Sequence, residues 1–448
     1  MKNILFVLLL TVAPSLLLAQ NLEIHWPLDR AVFQRDGGNQ ATVVVQGQYS
    51  ADIPTMKYRL YKLRLKEGTE DGLEENWTDI TPYQNNSIHK IFRKNFTKNK
   101  GWYRIDFSTD GNNVIKSLKF GIGDVYVIAG QSNASGFNPD FDINLKNYFE
   151  SFSNYTEIGQ SQQRYGQYFD CVNAAADESN MATKLVSNLI KIEQTTNIKP
   201  QGFQSHCYAV LGSEIALAEG VPTFFINSAF EGTSTWHWNK SKDNPNISLP
   251  SFFSGAPNYS AGQPYKNLKN VLNLYNSLFG IRAILWLQGE SDSRFKTVFL
   301  NDGSDKGDLV DNYQSRLDAI IGSSRTDFKN ANNNISWFVS QTSFDGFATP
   351  NTNTTLAGSP PNFNSGIQYN IGQANRHGVV SDIVGLQYPI NGQTRQARNE
   401  SDNNKVHFTD WGLLWLGKEW ASKQPWTGNP IAGEALLPLT IKWYSTEY

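Results

Sequence analysis

A short run of apolar residues that ends in glycine most strongly constrains the fold of this 448-residue chain. The run VYVIA at residues 125–129 is followed directly by Gly130, Gln131, Ser132 and Asn133. A continuous apolar run of this length predicts a strand that is buried on both faces, as in a parallel sheet covered by helices. A tight turn after such a strand brings a small polar side chain to the edge of the sheet, which makes Ser132 a candidate nucleophile.

Three further segments carry polar residues that suit the same chemistry. A serine after a glycine is usually only part of a turn, so Ser132 needs this additional support. The segments are FEGTS at residues 230–234, WLQGESD at residues 286–292 and VHFT at residues 406–409. Together with Ser132 they predict one active site.

The chain after residue 122 alternates between predicted strands and predicted helices. Strands are predicted at residues 125–129, 223–227, 283–287 and 337–341, and helical spacing recurs at residues 268–278 and 310–320. This alternation predicts an α/β fold with a doubly wound parallel sheet and helices on both faces. Such sheets bind ligands at the carboxyl ends of their strands, and Ser132, Gly232 and Gln288 each follow a predicted strand.

The segment before residue 122 has a different pattern. Its short β runs are separated by turn residues, and no helical spacing intervenes, which predicts a small β-sandwich. We therefore divide the chain into a signal peptide at residues 1–19, a β-sandwich accessory module at 20–121, a catalytic domain at 122–424 and a C-terminal extension at 425–448.

The first residues predict export. Lys2 precedes an apolar stretch at residues 4–18 that is interrupted by Pro14 and followed by Ala19 and Gln20, which is typical of a cleaved signal peptide. We therefore expect a secreted or periplasmic protein. No later segment approaches 18 consecutive apolar residues, so no membrane span is predicted.

Composition narrows the classes of function. A net charge of −2 and a pI near 6.3 lack the basic surface that nucleic acid requires. The six histidines lack the spacing of a zinc site, so we predict no catalytic metal and no cofactor.

Cys171 and Cys207 can form one bridge or remain two buried thiols. Aromatic residues make up 13% of the chain, which gives weak support for a carbohydrate ligand.

Taken together, the four polar segments resemble the SGNH hydrolase superfamily, in its branch of sialate O-acetylesterases and acetylxylan esterases. The resemblance spans residues 123–421 and rests on the order of the segments GQSN, FEGTS, WLQGE and the late histidine. It implies an SGNH-type sheet and a secreted carbohydrate O-acetylesterase that acts through a serine acyl-enzyme. The implied partner is an acetylated carbohydrate, while the particular sugar and the oligomeric state are not predicted.

The resemblance assigns a role to each matching residue. Ser132 is the implied nucleophile, and His407 is the implied general base and then general acid. Three donors are implied for the oxyanion that forms on the acetyl carbonyl: the backbone N–H of Ser132, the backbone N–H of Gly232 and the side-chain amide of Gln288. Such donors must be oriented in advance, because the loss of one typically costs about 3 to 4 kcal/mol.

Two positions depart from the family pattern. Glu231 stands where the family usually has a first glycine, and Asn404 stands where it usually has an aspartate three residues before the histidine. A histidine base needs a carboxylate that fixes its tautomer. Glu290 is our first candidate for that carboxylate, and Asp402 is the helper or alternative. A solvated surface position is predicted for the remaining acidic residues near these segments, which are Asp292, Glu400 and Asp410.

We also predict that Gln131, Asn133 and Trp236 contact the substrate. Trp236 and Trp238 can stack on a sugar or pack beneath the loop that follows Gly232. Two other functions stay open at this point. One is a non-catalytic glycan-binding protein on an esterase fold, and the other is an SGNH esterase for longer acyl chains.

Overall fold

The computed structural model describes about three fifths of the chain and most of its predicted site. The described residues are 22–136, 169–175, 188–192, 197–200, 206–251, 257–294, 313–328, 335–342, 376–381, 387–390, 393–396, 407–408, 413, 416–418, 420–421 and 431–432. The predicted signal peptide at residues 1–19 lies outside them. Among the described helices, none is both long and apolar enough to cross a bilayer.

The N-terminal part of the chain forms two sheets, which are antiparallel except that residues 31–34 pair in parallel with residues 120–123. The first has the strand order β1-β3-β7-β6, and in the second β5, β4, β8 and β9 are neighbours. Rings from the two sheets meet, as between Tyr58 and Phe96 at 5.3 Å and between Phe92 and Phe107 at 6.0 Å. The strands are β1 Leu22–Trp26, β2 Ala31–Gln34, β3 Gln40–Ser50, β4 Met56–Leu63, β5 Glu70–Ile80, β6 Pro82–Asn85, β7 His89–Asn99, β8 Gly101–Ser108 and β9 Lys116–Gly130.

Strand β9 joins this region to the catalytic part without a linker. Its residues 116–122 pair with β8, and its residues 124–130 pair with strands of the central sheet. We predicted two separate strands here, at residues 115–120 and 125–129, on either side of Gly121 and Gly123. These glycines instead allow close packing, since a Cβ atom on Gly123 would lie 1.9 Å from the carbonyl oxygen of Pro222. The predicted domain boundary between residues 121 and 122 therefore falls inside one strand.

The central sheet is mixed and carries the catalytic part of the fold. Its order is β11-β10-β12-β9-β14-β15-β16, and all neighbours are parallel except β11 and β10. Strands β12 and β14 have the predicted bounds, and every residue of both is buried. The strands are β10 Val172–Ala175, β11 Leu189–Lys191, β12 Thr223–Asn227, β14 Ala283–Leu287, β15 Trp337–Thr342 and β16 Arg376–Ser381.

Short strands and helices complete the described structure. β13 Gly280–Ile281 pairs with β19 Ile431–Ala432, which lies in the predicted C-terminal extension, and β17 Gln387–Ile390 pairs with β18 Gln393–Gln396. The helices are α1 Ser132–Ser135, α2 Tyr208–Glu219, α3 Thr235–Asp243, α4 Tyr265–Val271, a π-helix at Leu272–Asn276, α5 Ser277–Phe279, α6 Glu290–Arg294 and α7 Tyr313–Asp327.

A half-buried aspartate connects the start of β10 to the N-terminal sheets. The carboxylate of Asp170 lies 3.3 Å from the Arg30 Nη1 and 3.3 Å from the Lys119 Nζ, and it accepts a 3.0 Å hydrogen bond from the indole of Trp102. Burial alone would raise the pKa of Asp170. The charges of Arg30 and Lys119 and the bond from Trp102 instead hold it below the ordinary value.

The two cysteines are both buried and unbridged. Of the two alternatives open from the sequence, the structure therefore shows a pair of thiols. Burial raises the pKa of Cys207 to about 12, so this thiol is far from the ionised form that reacts.

Candidate active site

Ser132 lies at the carboxyl end of β9, where a glycine lets two strands approach each other. Gly130 has a φ of +128°, and a Cβ atom at this position would lie 2.0 Å from the carbonyl oxygen of Leu287 on β14. Only glycine fits both conditions. The chain then turns into α1, which begins at Ser132, and the serine is 6% exposed.

Ser132 and His407 meet although 275 positions separate them in the chain. The Ser132 Oγ lies 3.0 Å from the His407 Nε2. When the imidazole carries its proton on Nδ1, the hydroxyl donates to Nε2, which is the arrangement that proton removal by a general base requires. The structure thus brings together the two residues that the sequence analysis proposed as nucleophile and base.

Asn133 connects Glu290 to the histidine segment. Its Nδ2 donates a 2.7 Å hydrogen bond to the Glu290 Oε1, and its Oδ1 accepts a 3.4 Å bond from the backbone N–H of Phe408. Asn133 and Glu290 are 2% and 0% exposed. We predicted that Asn133 contacts the substrate, and the structure shows that its side chain contacts the protein instead.

The position of Asp402, the second candidate carboxylate, cannot be compared with that of Glu290. Asp402 and Asn404 lie outside the described residues, whereas Glu290 is buried two hydrogen bonds away from the backbone next to His407. The described geometry therefore gives structural support to Glu290 alone.

The turn after β12 is joined to the end of β9, two residues before Ser132. The backbone N–H of Phe230 donates to the carbonyl of Gly130 at 2.8 Å, and the Tyr259 hydroxyl donates to the carbonyl of Gly232 at 2.8 Å. Gly232 has a φ of +68°, which favours glycine. Within the described ranges, the backbone N–H groups of Ser132 and Gly232 have no protein acceptor. Both groups can therefore donate to a ligand.

Gln288 differs from its prediction as an oxyanion donor. Its Nε2 lies 2.7 Å from the Gln131 Oε1, 2.8 Å from the carbonyl oxygen of Thr233 and 2.9 Å from the Asp292 Oδ2. An amide nitrogen has only two hydrogens, and three protein acceptors already surround it. Gln288 thus links the turns that carry Ser132 and Gly232 rather than pointing its N–H groups at a substrate.

The side chain of Gln131 is fixed by the same network. Its Oε1 accepts from the Gln288 amide, from the backbone N–H of Gly289 at 3.2 Å and from that of Ser291 at 3.0 Å. These three donors determine which end of the amide is the oxygen. The Nε2 has no acceptor in the described part of the chain, so it is the end of Gln131 that can meet a substrate.

Asp292 is buried, although we predicted a solvated position. It is 0% exposed and accepts hydrogen bonds from Gln288 and from both the backbone and the hydroxyl of Thr235. Burial raises its pKa to about 6, against the lowering effect of the bonds from Thr235 and Gln288 and of the charge on Arg316. The local sequence around Asp292 did not predict this burial, because two of its three hydrogen-bond donors belong to Thr235, which is 57 positions away in the chain.

The tryptophans after Gly232 pack inside the protein. Trp236 is 4% exposed and packs with Leu249, and Trp238 is fully buried and donates a 3.1 Å bond to the Thr233 hydroxyl. The predicted stacking of Trp236 on a sugar does not fit this position. Of the two alternatives given for these rings, packing beneath the loop describes the structure.

Glu231 adds a carboxylate beside the Gly232 turn. Burial raises its pKa, and in the described structure its Oε2 is buried with no hydrogen-bond partner. Among the described residues, no group of three or more His, Cys, Asp or Glu side chains is arranged to hold a metal ion.

Comparisons with known proteins identify a family that matches this chain. The family model for carbohydrate esterases described as sialic acid-specific acetylesterase matches residues 122–355, slightly over half of the chain. No curated protein matches. A carbohydrate acetylesterase from Xanthomonas citri is similar in structure at 14% identity and a TM-score of 0.41, with 89% of this chain and 76% of that chain covered.

A protein from Arabidopsis thaliana is similar at 12% identity and a TM-score of 0.38, with 67% of this chain and 96% of that chain covered. The family match confirms the resemblance to sialate O-acetylesterases over residues 122–355, a range that contains three of the four sequence segments. The chain therefore belongs to the carbohydrate esterase family of sialic acid-specific acetylesterases.

Proposed function

We propose that this protein removes acetyl groups from carbohydrates through a covalent acetyl-serine. The observation that carries the proposal is the 3.0 Å contact between the Ser132 Oγ and the His407 Nε2. Membership of a carbohydrate esterase family supplies the reaction class, which is the hydrolysis of a carboxylic ester. The serine mechanism, the export of the protein and the acetylated sugar as substrate are parts of the proposal.

In the first half of the reaction, His407 takes the proton of Ser132 while the oxygen attacks the acetyl carbonyl. The carbonyl oxygen becomes an oxyanion, and the backbone N–H groups of Ser132 and Gly232 are available to donate to it. The ester bond to the sugar then breaks. The sugar oxygen leaves with the proton that His407 carried.

In the second half, water attacks the acetyl-serine. His407 takes a proton from the water, the same N–H groups stabilise the second oxyanion, and the proton returns to Ser132 as acetate leaves. A carboxylate must stabilise the imidazolium in both halves. Glu290 has structural support for this role through Asn133, and Asp402 is the alternative.

The proposal is tested by acetate release from acetylated glycans and from p-nitrophenyl acetate. We expect Ser132→Ala to lower kcat by at least about 1000-fold, as in other serine hydrolases. Ser277→Ala is a matched control, because Ser277 lies on α5 and bonds only to the carbonyls of Asn273 and Leu274. Wild-type turnover by Ser132→Ala would refute the proposal.

Two further measurements define the substrate and the location. A screen over acetylated sialic acid, xylan and pectic glycans identifies the sugar, and aryl esters of increasing length test our expectation that acetyl is preferred over longer acyl chains. Export predicts that the protein recovered outside the cytoplasm begins at Gln20. An intact Met1 in a protein that stays in the cytoplasm would contradict export.

A further inference from the structure

Asp292 is a buried acidic residue that the proposed mechanism does not use. It lies in the first turn of α6, two residues after Glu290, and its side chain is fully buried. Aspartate is almost never fully buried unless it is paired or hydrogen-bonded. Its environment therefore requires an explanation.

The donors around Asp292 come from two different turns. The backbone N–H of Thr235 lies 3.0 Å from the Asp292 Oδ1, and the Thr235 hydroxyl lies 2.5 Å from the same oxygen. The Gln288 Nε2 lies 2.9 Å from the Oδ2. The backbone N–H of Thr235 also lies 3.2 Å from the Oδ2. Both carboxylate oxygens thus accept hydrogen bonds, the Oδ1 from the turn after β12 and the Oδ2 from the turns after β12 and β14.

These bonds continue to the reacting groups. Thr235 begins α3, three residues after Gly232, and Gln288 also donates to the carbonyl of Thr233. The third acceptor of Gln288 is Gln131, the residue before Ser132. Asp292 is therefore one hydrogen bond from the Gly232 turn and two hydrogen bonds from the residue that precedes the nucleophile.

We infer that Asp292 is a positioning residue that holds the Gly232 turn against the Ser132 turn and so aligns the two oxyanion N–H groups. This inference rests on the proposed function, because the alignment matters only if an oxyanion forms there. Asp292 itself touches neither the serine nor the substrate in this role. Its effect passes through Thr235 and Gln288.

A carboxylate suits this position better than an amide of the same shape. Three donors face Asp292, and an ionised carboxylate accepts at both oxygens. An asparagine would turn its NH₂ group toward either Thr235 or Gln288, so that two donors face each other. One turn would then move, and a small displacement of an oxyanion donor is sufficient to reduce catalysis.

The experiment compares Asp292→Asn with Asp243→Asn, measured by steady-state kinetics on p-nitrophenyl acetate. Asp243 ends α3, and its side chain is 54% exposed, so this control makes the same substitution outside the site. We expect Asp292→Asn to lower kcat about 100-fold, similar to the loss of an oxyanion donor, with KM within about threefold of the wild type. The control should retain wild-type kcat and KM.

A second variant guards against a failure of Asp292→Asn to fold. Thr235→Val removes the hydroxyl donor and keeps the backbone N–H, and we expect a fall in kcat of about 10-fold. The inference is overturned if a folded Asp292→Asn has the kcat of the wild type or changes only in KM. If Asp292→Asn does not fold, an unchanged kcat in Thr235→Val overturns it. The proposed function fails separately, through an active Ser132→Ala or an inactive wild type, and an inactive wild type overturns the inference as well.

Discussion

The N-terminal sheets contact a half-buried aspartate and the carboxyl edge of the central sheet surrounds a fully buried one, and the two environments differ. Asp170 lies beside Arg30 and Lys119, and its pKa is below the ordinary value. The donors that reach Asp292 are neutral, and burial raises its pKa to about 6. The environment of Asp170 stabilises the ionised carboxylate, whereas the burial of Asp292 makes its ionised form lower the stability of the fold. The difference agrees with a structural role for Asp170 and with the positioning role that we infer for Asp292.

The strongest test of this comparison is Asp170→Ala. The substitution leaves Arg30 and Lys119 without their carboxylate and the Trp102 indole without its acceptor, so we expect the free energy of unfolding to fall by about 3 kcal/mol. Urea denaturation measures this value. The kcat of the folded variant should match that of the wild type, and a large loss of kcat with unchanged stability would reverse the roles that we assign.

The pH dependence of stability sharpens the comparison. The folded pKa of Asp292 is raised, so its contribution to stability is fully present below the unfolded value and is lost as the pH rises through about 6. The folded pKa of Asp170 is lowered, so its contribution is present above the unfolded value and is lost as the pH falls through the folded value.

Urea denaturation of the wild type, Asp292→Asn and Asp170→Asn between pH 2 and 8 measures these contributions. We expect the wild type to lose about 2 to 3 kcal/mol relative to Asp292→Asn as the pH rises across this range. The difference between the wild type and Asp170→Asn should change in the opposite direction. Parallel curves for all three proteins would remove the basis of the comparison.

A third test concerns the other buried carboxylate at the carboxyl edge. Glu290→Gln keeps an acceptor for Asn133 but removes the charge, so we expect kcat to fall about 30-fold if this charge stabilises the imidazolium. Asp402→Asn, assayed beside it, decides between the two candidates. A larger loss in Asp402→Asn would transfer the role to that residue.

The smallest expected effect is at Glu231. Because burial raises the pKa of this carboxyl, its ionised form destabilises the fold, and Glu231→Gln should be more stable than the wild type at pH 7 by less than about 1 kcal/mol. The gain should disappear near pH 4, where the wild-type side chain is protonated. Thermal denaturation at both pH values measures it, and a variant that is less stable at pH 7 would show that Glu231 has a partner.

Strands of the central sheet could be predicted from the sequence because a buried strand consists of a continuous run of apolar residues. Thr223–Asn227 and Ala283–Leu287 have the predicted bounds for this reason. Strand Glu70–Ile80 was not predicted, since it is mostly exposed, rich in acidic residues and held by pairing with β4. Local pattern carries no information about such pairing.

The site likewise contains features that the sequence predicted and features that it did not. The pairing of Ser132 with His407 was predicted because a resemblance over four segments linked them. The burial of Asp292 and of Trp236 was not predicted, because each depends on partners that only the folded chain brings near. The direct oxyanion role expected for Gln288 likewise ignored Thr233 and Asp292, which compete for its two hydrogens.

Strand Lys116–Gly130 runs without a break from the N-terminal sheets to the turn that carries Ser132. A shortened protein that starts at residue 122 would lose most of the part of this strand that pairs with β8 and β2. The end that carries Ser132 would then be anchored by the central sheet alone. Removal of the N-terminal sheets is thus expected to loosen the segment that holds Ser132.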